Sequence, residues 1–189
     1  VFLRKSSSAL DILTEASLTD RFRPPSDSLN SFYAGCYVAE LLGGLTEEYD
    51  PHEHLFDASI HALRQFADGN NVHLSLLKFE LATLQEIGQL PSFDDCVHCA
   101  ELIDVEESYT FRVSQGGLVC PRCQHAGSSE HQIQAGTVAL LRKLANSSDC
   151  FTSRITASPQ QLREMRFTLT ATVSSILGRR PSSLRYLQF

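Results

Sequence analysis

The chain has 189 residues, of which 42% are hydrophobic, and a formal net charge of −6. This length and apolar content are enough for a buried core, which excludes a disordered tail, and the acidic balance argues against a general nucleic-acid binder, because neutralising phosphates requires Lys and Arg. No apolar run approaches the ~20 residues of a membrane helix and no leader peptide is evident, so we expect a soluble, cytoplasmic protein without membrane contact.

The first segment, residues 1–23, is predicted to be the end of a preceding domain. It begins with Val1 rather than Met, so we expect a fragment or a processed product, and it holds short β-compatible runs but too few strands to close a sheet. Pro24-Pro25 then separates it from a helical domain that is expected over residues 24–189.

Apolar residues spaced three and four apart predict a first helix after Pro25. Ser26 or Asp27 would cap it and Gly43-Gly44 would end it. Glu40 is expected to pair with a basic residue of a neighbouring helix, and Cys36 is expected to be buried as a small hydrophobe. The predicted apolar stripe consists of Leu29, Phe32, Tyr33, Cys36, Tyr37 and Leu41.

Two further helices follow with short joins. Asp50-Pro51 opens the second and Gly69 is its natural stop, whereas the third runs from about Val72 to just before Gly88. Three such helices predict a packed bundle, so the fold class is mainly α. The apolar stripes consist of Leu55, Phe56, Ile60, Leu63 and Phe66 in the second helix and of Leu74, Leu77, Leu81, Leu84 and Ile87 in the third.

Residues 91–129 form a different kind of segment, predicted to be a zinc-finger module inserted into the helical domain. Two Cys-x-x-Cys pairs, Cys96 with Cys99 and Cys120 with Cys123, are separated by 20 residues. This spacing is typical of one tetrahedral zinc ion bound by four thiolates, whereas two redox pairs or disulfides are the competing interpretations. His98 and His125 lie beside the pairs and could replace a thiolate.

Four sulfur ligands leave no open coordination position, so the predicted zinc is structural rather than hydrolytic. His52, Glu53 and His54 invite a metal interpretation as well, but they stand in the predicted first turn of a helix, where acids complement the helix dipole. The sequence contains no glycine-rich phosphate loop, nucleophile elbow or His-Glu-x-x-His motif, and we predict no catalytic residue.

The last third of the chain combines helical periodicity with positive charge. The final helix is predicted to start at Ser158 as cap, with Pro159 in first position and Gln161 completing a capping box, and to end at Gly178. From residue 142 onward there are eight basic and two acidic residues, against eight basic and twenty acidic ones before it. Solvated helix faces or binding of DNA or an acidic partner would both explain this charge; the candidates are Arg142, Lys143, Arg163, Arg166, Arg179, Arg180 and Arg185.

Several motifs together resemble the RecO recombination mediators. They are Tyr37-Val38-Ala39-Glu40-Leu41-Leu42, the run from Phe79-Glu80-Leu81 through Gly88 and Pro91 to Cys96-x-x-Cys99, then Gly116-Gly117-Leu118-Val119-Cys120-x-x-Cys123, and Gly178-Arg179-Arg180-Pro181-Ser182-Ser183-Leu184-Arg185. They span nearly the whole chain. Ala100 stands after Cys99 where the family often has Gly.

The resemblance implies a helical domain with an inserted zinc finger of the kind shared with Arf GTPase-activating proteins, preceded by an OB-fold of which residues 1–23 would be the remnant. It implies a non-enzymatic protein of DNA repair and recombination that binds single- and double-stranded DNA and anneals strands. The implied partners are RecR, the acidic tail of the single-stranded DNA-binding protein and, indirectly, RecA. The alternatives are a GTPase-activating protein, with its arginine near Arg112 or Arg122, and a purely structural interaction module.

Overall fold

The computed structural model describes residues 2–4, 12–104, 108–124, 131–146 and 155–188. Within these ranges the chain is mainly helical, with one small sheet beside the helices, which confirms the predicted fold class. The helices are α1 (Leu29–Leu45), α2 (Glu53–Ala67), α3 (Val72–Glu86), α4 (Ala135–Asn146) and α5 (Pro159–Leu177). The strands are β1 (Phe2–Arg4), β2 (Ile12–Glu15), β3 (Ser92–Cys96), β4 (Ser108–Arg112), β5 (Gly117–Val119) and β6 (His131–Gln134).

Helix α1 lies against α2 and α3, but on a different face from the one the sequence predicts. Its cap is Ser28, whose hydroxyl accepts a hydrogen bond from the Ser31 backbone N–H, and the helix continues through Gly43 and Gly44. Small residues make the contact: a Cβ on Gly35 would come within 2.6 Å of the Phe22 ring. Because the segment that contains Phe22 approaches α1 this closely, the larger side chains of Leu29 and Phe32 remain exposed to solvent.

The predicted burial of Cys36 is also wrong, since its side chain is exposed. Of the predicted α1 stripe, Tyr37 and Leu41 are fully buried.

The next two helices follow the prediction more closely. Gly69 and Gly88, just past α2 and α3, both adopt the left-handed conformation expected of a helix-ending glycine. In α2, however, Phe56 faces solvent and Ala62 takes the buried place.

The sheet that follows α3 has the strand order β3-β5-β4-β6. Strands β3 and β5 run parallel, whereas β4 is antiparallel to both of its neighbours. The buried side chains of the sheet include Phe93, Tyr109, Phe111, Leu118 and Ile133. Strand β6 lies just past residue 129, so the sheet extends beyond the segment predicted for the module.

Helix α5 starts and ends as the sequence predicts. The Ser158 hydroxyl accepts from the Gln161 backbone N–H while the Gln161 side chain accepts from the Ser158 N–H, which is a complete capping box, and Gly178 is left-handed. Met165, Leu169 and Val173 are buried, but Ile176 near the end is partly exposed. A short 3-10 helix, Ser182–Tyr186, then packs back on α1.

Strands β1 and β2 pair antiparallel as a two-stranded ribbon. Whether residues 1–23 form a unit separate from residues 24–189 stays a prediction. None of the helices in the described ranges is both long enough and apolar enough to cross a bilayer.

Candidate functional site

The first cysteine pair lies on the turn that follows β3. The Cys96 backbone N–H donates to the Glu101 carbonyl at 2.9 Å, and the Ala100 N–H donates to the Cys96 carbonyl at 2.8 Å, which closes the turn. Ala100 has a φ of 56°, the left-handed conformation that glycine adopts at lower cost. The turn thus holds Cys96 and Cys99 on the same side of itself, and the left-handed backbone of Ala100 is locally strained.

The second pair follows β5, the parallel neighbour of β3, so both pairs emerge at the same end of the sheet. Cys120 precedes a 3-10 turn, Pro121–Cys123, in which the Cys123 N–H donates to the Cys120 carbonyl at 3.0 Å. The close approach of the strands requires Gly117, because a Cβ there would lie 2.8 Å from the Ser92 carbonyl oxygen. The sulfurs of Cys99 and Cys120 come within 3.8 Å of each other.

The environment of the sulfurs favours negative charge on one of them and opposes it on another. Burial raises the pKa of Cys96, but hydrogen bonds from the Cys120, Cys99 and His98 backbone N–H groups outweigh it, and the pKa falls to about 6. Contacts with the Cys120 and Cys99 sulfurs raise the pKa of Cys123 to about 12. Four thiolates this close repel one another unless a cation lies among them.

All four ligand atoms lie within 4.8 Å of one another, so Cys96, Cys99, Cys120 and Cys123 could together hold a metal ion. Elsewhere in the described ranges, no group of three or more His, Cys, Asp or Glu side chains is placed to do so. His52 instead lies near Asp50 and Glu86, at 3.3 and 3.4 Å.

The residues beside the cysteines are engaged with each other. His98 contacts the Arg112 guanidinium at 3.2 Å, and Arg122 forms an ion pair with Glu101. His125 lies outside the described residues. Both arginines suggested for a GTPase-activating role therefore have local acidic or imidazole partners, and nothing in this geometry favours that role.

Arg142 connects the sheet to the helices. Its guanidinium donates to the carbonyls of Phe93 and Ile103, and its Nε also pairs with the Asp94 carboxylate at 2.9 Å. These carbonyls lie on and beyond β3, so Arg142 bridges α4 and the cysteine module, and a role for it in binding DNA or an acidic partner stays a prediction. Its neighbour Lys143 is exposed.

Arg166 is largely buried in the helical core, and a role for it in binding DNA or an acidic partner stays a prediction. Its guanidinium donates to the Glu80 carboxylate, which also accepts from the Tyr37 hydroxyl. Burial raises the pKa of Glu80, while the positive charge of Arg166 acts in the opposite direction. Sequence reasoning missed this network; an acid inside the apolar α3 stripe, one turn from Leu77 and Leu84, was the available signal.

Glu40 has the basic partner that the sequence predicts, although it comes from beyond α5. Its carboxylate accepts from Arg179, from the backbone N–H groups of Ser182 and Ser183, and from the Ser183 hydroxyl at 2.6 Å. Partial burial raises the pKa of Glu40, but these hydrogen bonds outweigh it and lower the pKa to about 2. Arg180 and Arg185, in the segment that Glu40 holds, are exposed.

Arg163 lies at the opposite end of α5, beside a cavity of about 160 Å³. The walls are mostly apolar, and both Arg163 and the exposed part of Arg166 reach them. Burial and the nearby Arg166 charge lower the pKa of His73. The lining residues are His73, Leu77, Pro159, Leu162, Arg163 and Arg166.

The fold and the site together define a class: a helical domain that carries, beside its helices, a small sheet with four cysteines placed to hold a metal ion. Comparison with known proteins identifies the family. Residues 26–185 match the family described as Recombination protein O C terminal. The chain belongs to this family.

Individual relatives cover nearly all of the chain. A DNA repair protein RecO of Rhodopirellula baltica is 31% identical over an alignment of 210 positions that covers 97% of this chain and 76% of the relative. Proteins of the same name from a Roseiflexus species and from Bacillus pumilus are 29% and 26% identical, over 94% and 87% of this chain. The chain spans 62% and 63% of the length of these two.

Proposed function

We propose that this chain acts in DNA repair as part of a recombination mediator that binds DNA and protein partners without catalysing a covalent reaction. The observation that supports this proposal is the family match over residues 26–185. In this proposal the protein works in the bacterial cytoplasm, anneals complementary strands, and helps RecR to load RecA on single-stranded DNA coated by its binding protein. No described surface is assigned to RecR.

Within this proposal the metal is one structural zinc ion held by Cys96, Cys99, Cys120 and Cys123. Tetrahedral zinc–sulfur bonds of about 2.3 Å place neighbouring sulfurs about 3.8 Å apart, which is the separation of the Cys99 and Cys120 sulfurs. Four sulfurs complete the coordination, so the ion would hold the two turns together and activate no water.

Metal analysis of the purified chain tests this assignment. We expect one zinc per chain, and Cys120→Ser should release it and unfold the module. Cys36→Ser is the matched control, because this thiol is exposed on α1 and should leave the metal in place. A protein purified without chelators that contains no zinc would contradict the assignment.

Two groups of basic residues remain exposed, and DNA binding is proposed to rest on the group beyond the end of α5, Arg179, Arg180 and Arg185. Lys143, Arg163, Arg180 and Arg185 face solvent, and Arg179 is half-exposed beside Glu40. Changing Arg180 and Arg185 to Gln should flatten the dependence of binding on salt, because fewer counterions are released. Arg21 and Arg64, changed together to Gln, are the charge-matched control. Superimposable titrations of the two double variants would refute this assignment.

The cavity beside Arg163 is proposed to take the acidic tail of the single-stranded DNA-binding protein. A peptide with a terminal aromatic ring requires an apolar slot with arginines nearby for its carboxylates. Leu77 and Leu162 supply apolar wall, and Arg163 stands beside them. Lys143 remains a candidate for the rest of the acidic tail.

Calorimetry with the tail peptide at low salt tests this partner. Removing the terminal Phe of the peptide should abolish binding, and Arg163→Gln should weaken it about tenfold, as expected for a charge-assisted contact of about 1.5 kcal/mol. Arg64→Gln on α2 is the matched control. Equal affinity with and without the terminal Phe would exclude the slot.

A further inference from the structure

The C-terminal 3-10 helix and α1 together form a cluster of aromatic side chains. Tyr33 and Tyr186 stack with ring centres 4.7 Å apart and planes inclined by 16°. Phe32 meets Tyr33 edge-on at 5.5 Å, and the Arg185 guanidinium carbon lies 4.7 Å from the centre of the Tyr186 ring. We call Phe32, Tyr33, Arg185 and Tyr186 the aromatic cluster.

Much of this cluster is open to solvent. Phe32 is 48% exposed and Tyr186 is 46% exposed. Other contacts fix the segment: Glu40 binds the backbone of Ser182 and Ser183, and the Gln188 N–H donates to the Asn30 side chain at 3.0 Å. Because these contacts anchor the segment, its attachment to α1 does not depend on the exposed Phe32 ring.

Basic residues outnumber acidic ones in the two segments that form the aromatic cluster. In α1 and the described residues from 178 to 188 the basic residues are Arg179, Arg180 and Arg185, and the acid is Glu40. The Glu40 carboxylate is already occupied by Arg179 and the serine N–H groups. A partner that suits this surface has flat apolar faces and negative charge, as an unpaired stretch of nucleic acid has.

We propose that the aromatic cluster is a stacking site for unpaired bases of single-stranded DNA, with Arg180 contacting the adjoining phosphate. Bases stack on aromatic rings and on guanidinium planes without regard to sequence. In duplex DNA the base faces are covered, so the cluster discriminates in favour of single strands. This inference rests on the proposed DNA-binding function and names the part of the chain that distinguishes the two forms of DNA.

Fluorescence anisotropy with a labelled oligothymidylate of about 15 nucleotides, a length in the range of single-strand binding sites, tests the proposal on the full chain. Phe32→Ala should raise the Kd about five- to tenfold, the loss expected from removing one stacked base, and Tyr186→Leu should raise it similarly because it removes the ring over which the Arg185 guanidinium lies. Tyr186→Phe keeps the ring and should bind like the wild type. Phe56→Ala, an exposed phenylalanine on α2, is the matched control and should have no effect.

The salt dependence separates stacking from charge. Phe32→Ala should leave the slope of log affinity against log salt unchanged, because no phosphate contact is lost, whereas Arg180→Gln should lower it by about 0.7. A 2-aminopurine base in the oligonucleotide should be quenched by the wild type and less so by Tyr186→Leu. Circular dichroism melting shows whether each variant is folded.

Three outcomes would overturn the stacking site. Phe32→Ala and Tyr186→Leu, both folded, could bind single strands with wild-type affinity while the Arg180 and Arg185 changes still weaken binding; the proposed function would then stand without the stacking site. Equal weakening of duplex and single-strand binding by Phe32→Ala would contradict stacking on unpaired bases. Failure of the wild-type chain to bind any DNA would remove both proposals and direct attention to a protein partner for this surface.

Discussion

Glu40→Gln should loosen the segment that follows α5. The wild-type carboxylate binds Arg179, two backbone N–H groups and the Ser183 hydroxyl at once. An amide lacks the charge that strengthens these bonds and places an NH₂ group where one carboxylate oxygen accepts. The substitution therefore weakens the attachment of the 3-10 helix to α1.

The size of the effect follows from the pKa of Glu40, which the fold lowers from 4.5 to about 2. At about 1.4 kcal/mol per unit this corresponds to about 3 kcal/mol, and we discount it to about 2 kcal/mol because solvent reaches part of the group. Since the folded pKa is the lower one, this stability is fully present above pH 4.5. It is lost as the pH falls from 4.5 towards 2.

Urea unfolding of wild type and Glu40→Gln, followed by circular dichroism, measures this difference. We expect about 2 kcal/mol at pH 7, shrinking in acid; protonation of the cysteines affects both proteins and cancels in the difference. Glu47→Gln, just past α1, is the control and should change stability by less than about 0.5 kcal/mol. A Glu40→Gln effect no larger than that of the control would refute the reasoning.

Three other substitutions test particular contacts by the same unfolding assay. Arg166→Met should cost about 3–5 kcal/mol because it strands the buried Glu80, and adding Glu80→Leu should recover part of the loss; a double variant no more stable than the single would contradict this. Ser158→Ala should cost about 1 kcal/mol through loss of the cap, and no change would contradict it. Ala100→Gly should stabilise the cysteine module by about 1 kcal/mol by relieving its left-handed backbone, whereas destabilisation would show the strain to be absent.

The features that sequence predicted well depend on neighbours in the chain. The capping box at Ser158 and Gln161 and the glycine after α5 are set within one turn of helix, so their residue types suffice. The two Cys-x-x-Cys pairs are local in the same sense, and parallel pairing of β3 with β5 then brings them together. The spacing of the cysteines therefore predicted the cluster, although the sequence did not reveal that β3 and β5 are neighbouring strands.

The features that the sequence did not reveal depend on contacts between distant segments. Arginine is a residue type expected at the surface. The partners of Arg142 and Arg166, at Phe93 and Glu80, lie 49 and 86 residues away along the sequence. Cys36 and Phe32 fit an apolar stripe by spacing, yet α1 turns its small residues inward because Phe22 packs against Gly35. Neither a charge count nor a helical period contains this information.

In the part of the chain that the structure describes, the basic residues proposed for the two ligands lie at opposite ends of α5, and this has a consequence for their binding. Arg163 lies near the start of α5, and Arg179, Arg180 and Arg185 lie beyond its end. From Arg163 to Leu177 the helix rises about 21 Å at about 1.5 Å per residue, well beyond the Debye length of about 8 Å at physiological salt.

Acidic peptide and single-stranded DNA should therefore bind at the same time. We expect saturating peptide to change the Kd for DNA by less than about twofold, because charges separated by more than a Debye length are largely screened from each other. In the crossed test, Arg163→Gln should weaken only the binding of the peptide, and Arg180→Gln only the binding of DNA. Each affinity is measured by the anisotropy of the labelled ligand. Mutual exclusion of the two ligands, or one substitution weakening both equally, would show that they share a single site and would contradict the separation of charge along α5.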